Sequence, residues 1–163
     1  MRRMIAPNRP PGAADFDFLW GDWTVQHHRL NQRLAGANNW TEFPGTMTAR
    51  PILAGLGNFD ENVLDLPEGR YEASTLRFFD LRTSSWKIIW IDGRNPALDT
   101  PLVGAFTDGI GTFFAKESIE GRPILVRFRW SDIGEHSARW EQAFSDDDGA
   151  SWEINWIMLF GRR

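Results

Sequence analysis

Two adjacent histidines, His27 and His28, are the side chains of this sequence best suited to acid–base chemistry. Neighbouring residues of a strand point to opposite faces, and the phase of Trp23 and Val25 predicts that His27 faces inward. A neutral imidazole there could act as general base, metal ligand or haem ligand. The plain alternative is a structural histidine in the wall. Because a zinc site needs three or four ligands and His136 lies in a polar loop, we predict no metal site.

Glu42 and Arg77 complete the predicted catalytic set. Glu42 lies on the second predicted strand, where it could pair with Arg29 across the sheet. A carboxylate inside an apolar barrel would have a raised pKa and could act as an acid or base. Arg77, within STLRFF, could stabilise developing negative charge. Each also fits a structural role at a rim or in an ion pair. Further carboxylates at strand positions or strand ends are Asp60, Glu61 and Asp92.

Arg127 and Arg129 alternate with Val126, Phe128 and Trp130 in one predicted strand. If the apolar side chains fill the interior, the two arginines lie outside. If the arginines point inward, they form a site for a carboxylate, enolate or phosphate. The alternation alone leaves both arrangements open.

Aromatic side chains are unusually abundant, with nine tryptophans and twelve phenylalanines in 163 residues. Such rings either fill a core or wall a cavity that suits flat apolar ligands. The predicted ligand-contacting set joins tryptophans with polar side chains that would orient the ligand. Its members are Trp23, Trp40, Asn58, Trp86, Trp90, Arg127, Arg129, Trp140, Gln142 and Trp156.

The stretch SDDDGASWE matches the spacing of an Asp-box, with Ser145, Asp147, Gly149, Ser151 and Trp152. This motif is best known from sialidases and other β-propellers. The chain contains one copy and is too short for a propeller. A turn is therefore predicted, in which the aspartate accepts backbone N–H groups and the glycine adopts a positive φ.

Short alternating segments separated by Gly, Pro, Asp and Asn predict about ten antiparallel strands. A small all-β domain must hide its edges, and a closed antiparallel barrel is the simplest solution. Residues 1–14 are predicted to be a disordered, proline-rich tail, and residues 15–163 form one barrel domain that starts with a short helical turn. We expect a bulge in the second strand at Pro44-Gly45.

Composition argues against several partners. The net charge of −4 makes nucleic acid and anionic membranes poor partners. No apolar run approaches the length of a membrane span, and the N-terminus lacks the apolar region of a signal peptide. The absence of cysteine excludes disulfides and thiolate sites. These features favour a cytoplasmic protein.

Gly21-x-Trp23 within FLWGDW resembles the G-x-W signature of lipocalins and the wider calycin superfamily. GLGNFDEN, STLRFFDLRTSSWKIIWID and WEQAFSDDDGASWEINWIMLF resemble calycin-like bacterial proteins of the DUF1579 type. The resemblance implies a lipocalin-like barrel of eight to ten strands, with Trp23 closing one end under Arg162 or Arg163. It implies no established activity and no catalytic residues.

Binding of a mainly apolar or amphipathic small molecule inside the barrel is the first functional hypothesis. The alternative is a cofactor-independent isomerase, cyclase or lyase in the same cavity, with His27 or a carboxylate as base. A haem-binding barrel is the least favoured hypothesis, and no cofactor is predicted. The fold does not choose among these hypotheses, because function depends on the site. A homodimer is possible.

Overall fold

The chain forms a closed antiparallel barrel of ten strands, which confirms the predicted all-β fold. The structure is a computed structural model that describes residues 6 and 8–163. Each strand pairs with its neighbours in sequence, and β1 pairs with β10 to close the ring. The strands are β1 (Gly21–Leu30), β2 (Trp40–Ile52), β3 (Gly57–Leu66), β4 (Gly69–Asp80), β5 (Ser85–Asp92), β6 (Leu102–Thr107), β7 (Ile110–Ile119), β8 (Arg122–Ser131), β9 (Ser137–Ser145) and β10 (Glu153–Arg162).

The barrel has two ends with different coverings. In an up-and-down barrel, the ends of odd-numbered strands and the starts of even-numbered strands share one rim. We call this rim, where β1 ends and β4 begins, the open end. The opposite rim, where β1 begins and β10 ends, is the closed end.

The second strand runs without the bulge that the sequence predicts at Pro44-Gly45. Its register with β1 is continuous through both residues. Pairing with β3 starts at Gly45, so Pro44 lies where β2 has a single partner strand, a position of the kind at which sheets tolerate proline. A register shift occurs instead between β9 and β10, at Ile154/Trp156.

The N-terminal segment plugs the closed end. Ala13 is fully buried, and the Phe16 ring meets the Trp86 ring edge-on with their centroids 4.9 Å apart. The Trp86 indole N–H donates to the carbonyl of Gly12 (3.0 Å). Arg9 forms an ion pair with Asp17 of the short 3₁₀ turn at Asp17–Leu19.

Residues 6 and 8–14 of the predicted tail belong to the described part of the chain, and among them Ala13 is fully buried at the closed end. Residues 1–5 and 7 of the same prediction lie outside the described residues.

Trp23 and Arg162 complete this end, in the arrangement that the G-x-W resemblance implies. The Arg162 guanidinium carbon lies 4.1 Å from the Trp23 ring centroid. The same guanidinium donates to the carbonyls of Phe18 (2.6 Å), Trp20 (2.8 Å) and Glu135 (3.0 Å). One arginine thus binds the plug to the first and last strands.

The Asp-box shapes the β9–β10 hairpin at the open end. The Asp147 carboxylate accepts from the Ser145 hydroxyl and the Ser151 N–H, both at 2.8 Å. Hydrogen bonds from Ser151 come first among the causes that lower the pKa of Asp147 to about 2. Gly149 has φ of +88°, as a tight turn of this kind requires. The turn-forming role predicted for the motif matches the structure.

No helix among the described residues is both long and apolar enough to cross a membrane.

Candidate functional site

The open end contains a cavity of about 320 Å³. This volume falls within the range of small-molecule sites, which is about 300–1,000 Å³. Its walls are apolar below and charged at the mouth. The apolar and aromatic lining residues are Tyr71, Trp90, Ala97, Leu102, Ala115, Ile119, Ile124, Val126, Phe128, Trp140, Phe144 and Trp156.

Aromatic rings form the floor of this cavity. A second space of about 20 Å³ lies towards the closed end, and it shares the lining residues Trp90, Phe128 and Trp140 with the cavity. These three rings therefore separate the cavity from the second space. The rings of Phe128 and Trp140 meet edge-on at 4.8 Å, and Trp156 stands at 88° to Trp140 with centroids 5.6 Å apart. These edge-to-face contacts stabilise a rigid floor.

Three arginines lie at the mouth, each over a ring. The guanidinium carbon of Arg29 is 4.0 Å from the Trp156 centroid, that of Arg33 is 5.4 Å from Phe144, and that of Arg94 is 3.5 Å from Tyr71. Cation–π contacts of this kind hold the cations while leaving hydrogen-bond donors available. The sequence had suggested only one of the three, as a partner for Glu42.

Arg29 uses only part of its hydrogen-bonding capacity. One terminal nitrogen donates to the Tyr71 hydroxyl (2.6 Å), while its buried Nε has no hydrogen-bond partner within the described part of the chain. Burial, and then the positive charge of Arg29, lower the pKa of the Arg33 guanidinium. The Arg33 side chain keeps contact with solvent, whereas Arg29 is half-buried. Two neighbouring cations at one mouth favour an anion nearby.

Carboxylates occupy other parts of the same mouth. Asp92 pairs with Arg94 (2.9 Å); burial alone would raise the pKa of Asp92, but the Arg94 hydrogen bonds outweigh it and lower the pKa. Burial, and then the charges of Glu117 and Asp92, raise the pKa of Asp99. Glu117 accepts from the Thr100 N–H (2.5 Å). Among the described residues, no group of three or more His, Asp or Glu side chains could hold a metal ion.

His27 points inward, as its phase predicts, but it belongs to the wall rather than to the cavity lining. It is 1% exposed, stacks on Phe43 with centroids 4.6 Å apart, and its Nδ1 accepts from the Trp156 indole N–H (3.2 Å). A Cβ on Gly45 would come within 2.7 Å of its Nε2, so glycine makes room for the ring. Burial, and then the charge of Arg29, lower the pKa of His27 to about 3.

Arg77 and Asn58 lie deeper, in a buried polar cluster beneath the floor. Arg77 donates to Asp60 (2.6 Å) and to Asn58 (2.9 Å). The Asp60 carboxylate also accepts from the Asn62 side chain (2.6 Å) and the Thr75 N–H (2.9 Å). The buried ion pair is thus largely satisfied internally. Two donors, Arg77 Nε and Asn58 Nδ2, have no partner among the described residues.

Four of the predicted site residues face outward. Glu42 is exposed and pairs with His28 (3.0 Å) rather than with Arg29, because His28 is its direct cross-strand partner. Trp40 shares that outer face and is 39% exposed. Arg127 and Arg129 also lie outside.

The outward position of these two arginines resolves the alternatives that the sequence left open. The strand alternates with a period of two, and its apolar members Val126, Phe128 and Trp130 are the buried ones.

The remaining predicted ligand-contacting residues divide between the two ends. Trp23 and Trp86 pack at the closed end, away from the cavity. The predicted residues that line the cavity are Trp90, Trp140, Gln142 and Trp156. The Gln142 side chain donates to Asn155 (2.8 Å) beside the β10 bulge.

Sequence analysis missed most of the charged mouth. Arg33, Tyr71, Arg94, Asp99 and Glu117 all line it, and each lies in a loop or near a strand end. Strand order alone could have predicted that these residues lie together. In an up-and-down barrel, the β1–β2 loop, the start of β4, the end of β5 and the end of β7 must meet at one rim.

Comparison with known proteins supports the fold. No family model matches the chain, and no curated protein matches it. The resemblance to DUF1579-type proteins thus remains a prediction. Among solved structures, the chain is similar to the S-type phycobiliprotein lyase CPES from Guillardia theta, with a TM-score of 0.60 and 8% identity over 91% of this chain and 90% of that one. At this identity the likeness shows the fold alone, a lipocalin-like barrel.

Proposed function

We propose that the protein binds a small amphipathic molecule in the cavity of the open end, with its apolar body on the aromatic floor and an anionic group at the arginines. The observation that carries this proposal is the cavity itself, about 320 Å³ of space with an apolar lower wall and Arg29, Arg33 and Arg94 at its mouth. Apolar walls with a few convergent polar groups are typical of ligand sites.

The arginines support the anionic part of the ligand. Arg29 is half-buried, its buried Nε lacks a partner, and no carboxylate is hydrogen-bonded to it among the described residues. Arg33 lies beside it with an exposed side chain and adds a second positive charge. Arg94, by contrast, is already neutralised by Asp92. A carboxylate, sulfonate or phosphate placed between Arg29 and Arg33 would restore the hydrogen bonds and charge balance that this side of the mouth lacks.

A pair of fluorescent probes tests occupancy of the cavity. 1-Anilinonaphthalene-8-sulfonate and N-phenyl-1-naphthylamine share the same rings and differ in the sulfonate. Both should bind and quench tryptophan fluorescence. Ala115→Phe, which fills the lined space, should abolish binding, while Ala105→Phe, which adds the same bulk on the exposed outer face of β6, should not. Equal binding by the two variants would place the probes elsewhere and contradict the proposal.

The same probes test the anion site. Arg33→Gln should weaken the sulfonate probe by about tenfold, the effect of one lost charge-assisted hydrogen bond, and leave the uncharged probe nearly unchanged. Arg82→Gln is the matched control, because Arg82 is exposed and lies in the β4–β5 turn at the closed end. If Arg33→Gln weakens both probes equally, the arginine supports the wall rather than an anion.

An isomerase, cyclase or lyase in the same cavity is the second candidate, and Asp99 is the observation that favours it. Its raised pKa and its place in the cavity lining make it a candidate acid, in place of His27 or Glu42. The similar barrel from Guillardia theta is itself an S-type phycobiliprotein lyase.

Native mass spectrometry of protein from its own host should identify a bound molecule to use as substrate. For an enzyme, Asp99→Asn should then retain binding and lose conversion. Unchanged conversion would remove Asp99 from the mechanism.

A further inference from the structure

A second group of arginines lies outside the barrel, on the face formed by β8 and β9. Arg127, Arg129 and Arg139 surround the carboxylate of Glu141, whose side chain is 6% exposed. Arg129 is the direct cross-strand partner of Glu141. We call these four residues and Trp152 the arginine face. Three cations share one carboxylate, so the group carries an excess of two positive charges in a chain of net charge −4.

The hydrogen-bonding capacity of this face is largely unused. Arg139 reaches Glu141 at hydrogen-bond distance (3.2 Å), whereas Arg127 and Arg129 stay 3.9 Å away. Neither of these two guanidinium groups donates a hydrogen bond to a described residue, and the buried Nε of Arg127 has no partner there. Guanidinium groups with free, parallel donors are suited to bidentate recognition of carboxylates.

Exposed apolar side chains border the arginines. The Arg127 guanidinium carbon lies 4.6 Å from the Trp152 centroid, and Phe114, the cross-strand partner of Arg127, contacts Trp152 at 5.9 Å. Phe114 is 46% exposed and Leu159, on β10, is 41% exposed. Aromatic residues and arginine are the types enriched at the centres of protein–protein interfaces, where they carry most of the binding energy.

We propose that the arginine face docks an acidic segment of another protein, with closely spaced carboxylates on Arg127 and Arg129 and an apolar side chain against Phe114 and Trp152. Charge complementarity selects this occupant. A second copy related by a two-fold axis through this face would place the same arginines against each other. Nucleic acid binds through many phosphate contacts along its backbone, whereas this face offers only two guanidinium groups, Arg127 and Arg129, that are free of hydrogen bonds to the described residues. The inference is independent of any cavity ligand, because these side chains point away from the interior.

Binding of synthetic polypeptides, measured by fluorescence anisotropy, tests the docking surface. A labelled copolymer of glutamate and tyrosine should bind wild-type protein more tightly than polyglutamate, which lacks the rings. A copolymer of lysine and tyrosine should bind more weakly than either. The proposal is overturned if the lysine copolymer binds as well as the glutamate copolymer. Tighter binding of a single-stranded oligonucleotide, or a dimeric mass that Arg129→Gln makes monomeric, would overturn it in favour of another occupant.

Substitutions with opposite expected effects on affinity test whether the copolymer binds at the arginine face. Arg127→Gln/Arg129→Gln should weaken the glutamate–tyrosine copolymer by about tenfold or more. Glu141→Gln should tighten it, because this change removes the carboxylate that competes for the same donors; a thermal melt shows whether this variant is folded. Arg122→Gln is the matched control on the same strand, where Arg122 pairs with Asp146 at 3.2 Å. An equal loss in Arg122→Gln would reduce the effect to general charge and overturn the proposal.

Ala115→Phe separates this proposal from the cavity. It should block the naphthyl probes and leave copolymer binding unchanged. Loss of both activities in that variant would contradict an independent outer site.

Discussion

The closed and open ends of this barrel use the same kinds of side chain for different purposes. At the closed end, Arg162 covers Trp23 and donates to three backbone carbonyls. At the open end, Arg29 covers Trp156 at a similar distance but keeps a buried nitrogen without a partner among the described residues. An arginine over a tryptophan is therefore structural where a chain segment supplies acceptors, and available for a ligand where none does.

The N-terminal segment causes this difference. Phe16 fills the closed end among aromatic rings, while no described segment fills the corresponding space at the open end. Packing contacts stabilise the fold most where they surround a side chain on all sides. Changes at the closed end should therefore affect stability, and changes at the open end should affect binding.

Removing the plug side chain should have the largest effect. Phe16→Ala should lower the free energy of unfolding by about 3–5 kcal/mol, because it leaves a cavity among packed rings. Chemical denaturation measures the loss. Phe114→Ala, on the outer face, should cost only about 0.5 kcal/mol and serves as the control. Similar losses for the two variants would show that the plug is not part of the core.

Breaking the buried ion pair between Arg77 and Asp60 should have the second-largest effect on stability. Arg77→Met should destabilise the fold by about 3 kcal/mol, because it leaves the Asp60 carboxylate buried without its cation. Arg77→Met combined with Asp60→Asn should recover part of that loss in the same denaturation experiment. A double variant as unstable as the sum of both single variants would mean that the two residues act separately.

Removing a ring from the cavity floor should lower the stability less than the changes above and weaken ligand binding more. Trp140→Ala should lower the free energy of unfolding by about 2 kcal/mol, since one face of this ring already borders the cavity. The affinity for N-phenyl-1-naphthylamine should fall clearly, as measured by fluorescence titration, whereas Phe16→Ala should leave it nearly unchanged while folded. The reverse pattern would contradict the division between the two ends.

Asp99 should make anion binding depend on pH. Its raised pKa means that it gains a proton as the pH falls while a typical aspartate is still ionised. Protonation removes a negative charge from the mouth, so the sulfonate probe should bind more tightly as the pH is lowered towards that pKa. The uncharged probe and the Asp99→Asn variant should show little of this dependence. Equal pH profiles for wild type and variant would exclude Asp99 as the cause.

Replacing the aspartate of the Asp-box should have the smallest effect on stability. The pKa of Asp147 is lowered from the ordinary aspartate range near 4 to about 2. Its ionised form therefore stabilises the folded state above about pH 4, and that contribution is lost as the pH falls towards about 2. Wild type should melt at a higher temperature than Asp147→Asn at neutral pH, and the difference should shrink on acidification. A difference that grows on acidification would contradict this role.

Local patterns were enough to predict much of the fold and little of the site. The alternation in β8 predicts one buried face, and the Asp-box predicts its turn, because each depends on residues close together in the chain. That Trp23 lies under Arg162 or Arg163 was implied by a family resemblance, and the structure selects Arg162. The inward face of His27 was also predictable, but its contacts with Phe43 and Trp156 come from two other strands.

The sequence by itself determined that this chain forms a closed barrel with aromatic walls, since period-two alternation and the need to hide strand edges are local and general constraints. Only the tertiary structure decided which end is filled and which is a cavity. That choice depends on where the N-terminal segment packs, and on loops that bring Arg33 and Arg94 beside Arg29 from distant parts of the chain. Contacts between residues so far apart leave no periodic signal in the sequence.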